Sequence, residues 1–123
     1  MVTIQEDKTQ GDLIALIAEG KIDKADYDQV WPLVEQKVKE HGKIRVYIEA
    51  RDIDMITLRA LYEEVKMDVQ HFRDFSKAAL VGDKTWKQMA TWAFNLVTSG
   101  EARYFEFDEK QEAWEWVSQP VSA

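Results

Sequence analysis

The sequence predicts an α/β fold, a mixed sheet of about five strands flanked by about four helices. Three observations carry that reading. Lys43-Ile44-Arg45-Val46-Tyr47-Ile48-Glu49-Ala50 is rich in β-branched and aromatic residues, the composition of a strand packed on at least one face. Ser76-Lys77-Ala78-Ala79-Leu80-Val81 is a short, mostly apolar run, as in a strand covered by helices. Between them Leu58, Leu61, Tyr62, Val65, Val69 and Phe72 fall within an arc of about 100°, the core-facing stripe of a helix. Strand, helix and strand from Lys43 to Asp83 therefore form a unit whose two strands are parallel and joined by a right-handed connection.

The remaining elements are laid against this unit. Val2-Thr3-Ile4-Gln5 is a short strand candidate, Glu6 to Gly11 a turn, and Leu13 to Ala18 within Asp12 to Ile22 a second strand, so the chain opens with a hairpin. Asp23 suits a helix N-cap, with Asp26 three residues on near the positive end of the helix dipole. Tyr27, Val30, Trp31, Val34 and Val38 define one apolar face, and Gly42 is the expected C-cap. Pro32 interrupts that pattern and predicts a kink or a split near Trp31. Arg51 to Ile56 is a polar connection, and Thr57 is placed to cap the next helix, whose outer face carries Glu63, Lys66, Gln70 and Arg73. After Gly82-Asp83, a helix from Lys84 to about Thr98 places Trp86, Met89, Ala90, Trp92, Ala93, Phe94, Leu96 and Val97 over an arc of about 200°, about twice the usual stripe. Ala102 to Phe107 reads as the last strand. Asp108 with Gln111 is a capping-box pattern for a closing helix carrying Ala113, Trp114 and Val117.

Composition narrows the function classes. The 123 residues read as one domain, without internal repeats or a linker. The absence of cysteine excludes disulfides, thiol catalysis and thiolate metal sites, and suits a reducing cytoplasm. The acidic N-terminus lacks the apolar core of a signal peptide, and no run approaches the ~20 apolar residues of a membrane span, so a cytoplasmic location is expected. A net charge of -7 opposes attraction to nucleic acid, and none is expected as a partner.

The order of elements resembles the STAS fold of anti-sigma-factor antagonists. More narrowly, the chain resembles the SpoIIAA-like family of small bacterial proteins. The residues that carry this are Phe72-Arg73-Asp74-Phe75, Ala79-Leu80-Val81-Gly82-Asp83 followed by Trp86, Gly100-Glu101-Ala102-Arg103-Tyr104-Phe105, the closing Ala113-Trp114, and Pro32 inside the first helix. The resemblance implies a mostly parallel or mixed sheet flanked by helices, and no enzymatic chemistry. In the serine-switched antagonists, an Asp-Ser-Ser-Gly sequence between the central strand and its helix is phosphorylated by a partner kinase. The matching stretch here is Asp54-Met55-Ile56-Thr57, so the acid remains and both serines are gone. The resemblance therefore does not carry the phospho-switch. Thr57 could accept phosphate at a helix N-terminus, but capping is the simpler role. The family's fold also resembles that of lipid-carrying CRAL-TRIO domains, which implies an apolar ligand or a membrane surface as an alternative.

No catalytic residue, cofactor or metal site is expected. His41 and His71 lack a partner at ligand spacing, and His41 before Gly42 suits a helix C-terminus. Glu63-Glu64 are adjacent on a helix and point about 100° apart. Asp52 and Asp54 form an acidic pair in a loop, and no glycine-rich phosphate loop is present. Two readings follow. The first is a regulatory or interaction module that docks a protein through Arg51, Asp52, Asp54, Met55 and Thr57. The second is an apolar-ligand or peripheral membrane-binding protein that uses Trp31, Trp86, Met89, Trp92, Phe94 and Leu96. An uncovered face from Trp86 to Val97 would also admit a second copy of the chain, giving a homodimer.

Overall fold

The computed structural model describes residues 1–70, 74–83 and 100–119, with the backbone alone over 66–70. The helix expected from Lys84 to Thr98 lies outside the described residues, as do His71, Phe72 and Arg73. The strands are β1 (Val2–Ile4), β2 (Leu13–Glu19), β3 (Ile44–Arg51), β4 (Phe75–Gly82) and β5 (Glu101–Glu106). The described helices are α1 (Lys24–His41), α2 (Met55–Gln70) and α3 (Lys110–Ser118). The five strands form one sheet in the order β1-β2-β3-β4-β5. β1 is antiparallel to β2, and every other pair is parallel, so the mixed sheet expected from the sequence is the one observed.

Side-chain alternation along these strands sorts the sheet into two faces. The pairs Ile14↔Val46, Val46↔Ala78 and Ala78↔Ala102 keep even-numbered residues together across β2 to β5. α1 covers this even face through Val30, Trp31 and Val34, packed with Ile14, Leu16 and Val46. α2 covers its other end through Met55 and Leu58, near Ala50 and Leu80. The odd face carries Leu13, Ala15, Tyr47, Ala79 and Val81, and α3 lies on it with Ala113 and Val117 fully buried. Helices thus cover both faces, two on one side and one on the other among the described residues.

Local chemistry fixes the ends of α1. Asp23 accepts a hydrogen bond from the Asp26 N–H, and Asp26 returns one from the Asp23 N–H, a reciprocal cap. The second oxygen of Asp26 accepts the Val2 N–H at 2.9 Å and ties β1 to α1. Burial works against charge on Asp26, yet these backbone bonds and the nearby terminal ammonium hold its carboxyl below the ordinary range. At the other end the Gly42 N–H reaches the Val38 carbonyl at 2.7 Å with φ +83°, a backbone state that favours glycine. The split expected at Pro32 does not occur. Pro32 is exposed and α1 runs through it as one helix, so the carbonyl that its ring leaves without a donor lies toward water.

The closing helix starts differently from the sequence expectation. Phe107–Glu109 form a 3₁₀ turn, and the carboxylate of Glu109 accepts the Glu106 N–H at 3.0 Å. Asp108 lies inside that turn, so the Asp108–Gln111 box is not the one used. Gly100, just before β5, sits where a Cβ would stand 2.3 Å from the Phe75 carbonyl oxygen, so only glycine lets β5 start beside β4.

Two cations from the odd face hold the far end of α3. Arg45 donates to the carbonyls of Val117 (2.8 Å) and Gln119 (3.1 Å), and Lys77 to those of Trp116 (3.1 Å) and Gln119 (3.2 Å). They satisfy the orphan carbonyls of a helix C-terminus and complement its dipole. Arg45 is itself oriented by Asp12, which accepts from Nε at 3.0 Å and from a terminal nitrogen at 2.6 Å. That hydrogen bond to Arg45 holds the Asp12 carboxyl below its ordinary value of 3.8. Because the folded value is depressed, the unfolded chain binds the extra proton, and this stability is present above pH 3.8 and lost as pH falls through the folded value. Asp12→Asn should lower stability by about 1–2 kcal/mol at neutral pH in chemical denaturation. The difference from wild type should vanish in strong acid, and a gap unchanged by acid would contradict this role for the ion pair.

Candidate functional site

Three surfaces can be built from these elements. The first is the turn between β3 and α2. Asp52 sits at φ +48° and Gly20 accepts the Asp54 N–H at its carbonyl, so the turn is pinned to the end of β2. Asp54 is the N-cap of α2. Its Oδ1 accepts the N–H groups of Ile56 (3.0 Å) and Thr57 (3.1 Å). The expected cap at Thr57 is therefore displaced by three residues. The Thr57 hydroxyl instead donates to the Asp54 carbonyl at 3.1 Å and accepts the Ile22 N–H at 3.2 Å. A phosphate on Thr57 would break the tie to Ile22. Arg51 faces Glu49 at 2.6 Å and Glu19 at 3.7 Å, while Met55 is half-buried against Ala50 and Leu80. Ile56 projects from this turn at 83% exposure.

The second surface is a groove on the even face. α1 stands over the start of the sheet and α2 over its end, and between them the sheet is floored by small and branched side chains. Leu16, Ala18, Val46 and Ile48 form that floor; Tyr27, Val30, Trp31, Leu58 and Leu61 rise from the helices on either side. The groove encloses about 290 Å³. Asp26 is the one charged side chain among its described lining residues, and its carboxylate is engaged by the Asp23 and Val2 N–H groups. Tyr27 and Trp31 stack with ring centroids 5.4 Å apart and stiffen the α1 wall. Trp31 lines this groove. Trp86, Met89, Trp92, Phe94 and Leu96, expected beside it, lie outside the described residues.

The third surface is a polar cup on the odd face, which sequence reasoning misses. Tyr47, Glu49 and Arg51 alternate along β3, and the start of α3 brings Lys110 and Trp114 over them. Gln5 and Lys8 from the first turn close the rim of a cavity of about 450 Å³. Glu49 is only 4% exposed, and its carboxylate meets Arg51 at 2.6 Å and Lys110 at 3.6 Å. Tyr47 packs edge-on to Trp114, with centroids 5.4 Å apart, and Lys8 Nζ lies 5.2 Å from the Trp114 ring centre. Burial, reinforced by Glu49, pushes the Tyr47 phenol up to about 12. The available signal was a lone acid inside an apolar strand, flanked at two-residue steps by Tyr47 and Arg51.

Comparison with known proteins decides the lineage. A model of the SpoIIAA-like family matches residues 13–118. The chain belongs to the SpoIIAA-like family. The crystal structure of an uncharacterised protein from the DUF3478 family, with a SpoIIAA-like fold, from Shewanella loihica PV-4 is similar to it with a TM-score of 0.62. The two share 25% identity, over 95% of this chain and 92% of that one. No curated protein matches. As a SpoIIAA-like chain it has the expected α/β architecture. Among the described residues no group of three acids or histidines is arranged to hold a metal ion, and no helix is long and apolar enough to cross a membrane.

Replacing the α2 cap tests the local assignment. Asp54→Ala should cost about 1 kcal/mol in thermal or chemical denaturation, the usual loss for an N-cap. Thr57→Ser, which keeps both hydroxyl bonds, should cost less than half as much. The reverse ranking would return the cap to Thr57.

Proposed function

We propose that this SpoIIAA-like chain is a non-enzymatic binding module whose ligand is a single apolar chain, such as a lipid acyl tail, held between α1 and α2. The observation that carries the reading is the groove itself. Ligand sites are concave and mostly apolar, commonly about 300–1,000 Å³, and this groove, at about 290 Å³, falls just below that range. Its walls offer almost no polar atoms to a ligand, so discrimination would come from shape and apolar contact rather than hydrogen bonding.

A second reading is favoured by Ile56, an apolar residue at 83% exposure on the first turn of α2. It makes the β3–α2 turn a docking point for a protein partner, in the place where the STAS resemblance puts one. The polar side chains of the turn support this less well, since Asp54, Thr57 and Arg51 are engaged within the chain.

The groove reading is tested by titrating a fluorescent polyene fatty acid into the protein. Wild type should saturate at one probe per chain. Ala18→Leu, which fills the floor, should weaken binding at least about tenfold, the scale of a few apolar carbons lost from contact. Ile56→Asp should leave it unchanged. Equal binding by wild type and Ala18→Leu, or no saturation, would overturn the groove as the site.

A further inference from the structure

We propose that the cup on the odd face binds a small organic carboxylate with a flat apolar body, at a site separate from the α1–α2 groove. The first observation is Tyr47. It is 5% exposed, it lines the cup, and among the described residues its hydroxyl has no hydrogen-bond partner. Buried tyrosine hydroxyls ordinarily find one. A phenol held protonated offers a donor, so the group it awaits is an acceptor.

Charge gives the second argument. Lys8, Arg51 and Lys110 face the cup against Glu49 and Glu115, which leaves a single positive charge in a chain whose net charge is -7. Glu19 beside Arg51, at 3.7 Å, brings the surroundings of the cup to neutrality. A monocarboxylate adds one negative charge to this arrangement, whereas a phosphate dianion would add two beside Glu49 and Glu115. Glu49 uses one edge of the Arg51 guanidinium, and the planar fork retains donors suited to a second carboxylate. The third argument is the wall. Trp114, set edge-on by Tyr47, gives a flat apolar surface beside the cations, which a body such as an aromatic ring can use and a bare inorganic ion cannot.

The probe is benzoate, compared with acetate and inorganic phosphate, followed by backbone and indole NMR shifts on the whole chain. Benzoate should saturate, shift the Arg51 and Lys110 amides and the Trp114 indole, and bind at least about tenfold tighter than acetate, whose methyl group buries far less apolar area. Tyr47→Phe should keep its melting temperature, since no protein bond is lost, and weaken benzoate about five- to tenfold. Lys8→Ala, at an exposed position, supplies an independent variant and should also weaken it. Ala18→Leu should have no effect, which separates this site from the groove. Tighter binding of phosphate than benzoate, shifts confined to groove residues, equal affinity in Tyr47→Phe and Lys8→Ala, or no saturation would each overturn the proposal.

Discussion

The constraint on which the rest of the structure depends is the order of its parallel strands. β2, β3, β4 and β5 lie side by side in chain order, and all run the same way. Successive right-handed connections that step in one direction across a sheet deliver their helices to the same face. α1 and α2 accordingly share the even face, each over its own part of the sheet. Their separation leaves the groove, floored by small and branched apolar side chains of the sheet. The opposite face receives α3, which enters after the sheet is complete.

That asymmetry explains why charge collects on one side. A strand buried on both faces reads as nearly continuous apolar sequence, as β2 does. β3 instead alternates, with Val46, Ile48 and Ala50 toward the helices and Arg45, Tyr47, Glu49 and Arg51 toward α3. At one end of α3 the odd-face cations Arg45 and Lys77 bind the last carbonyls. At the other end, Glu49 draws Arg51 and Lys110 together and leaves the cup. One short helix is thus fixed at its C-terminus by direct bonds and borders a cavity at its N-terminus. The buried Glu49 requires its partners, since an isolated carboxylate there would be strongly disfavoured.

Much of this was legible in the sequence because it follows from period and punctuation. The β2 run, the Lys43–Ala50 strand and the α1 stripe from Tyr27 to Val38 each bury the face that their spacing predicts. Asp23 and Gly42 cap α1 where local chemistry places them. The errors arise where two local choices compete. Asp54 and Thr57 both suit a cap, and the tie from Thr57 to Ile22, 35 residues away in sequence, decides between them. Pro32 signals a break that a solvent-facing position tolerates. The cup was not legible because Lys8, Glu49 and Lys110 meet only through the sheet register and the placement of α3. The groove was not legible either, because its volume depends on the placement of two helices that no local pattern encodes.

The even face is proposed to hold an apolar ligand. Native mass spectrometry of the protein purified from its own cells, followed by organic extraction and identification of what is released, tests it most directly. Wild-type protein should carry a stoichiometric apolar molecule that Ala18→Leu lacks. Bare wild-type protein that also fails to take up a fatty acid added in excess would contradict it.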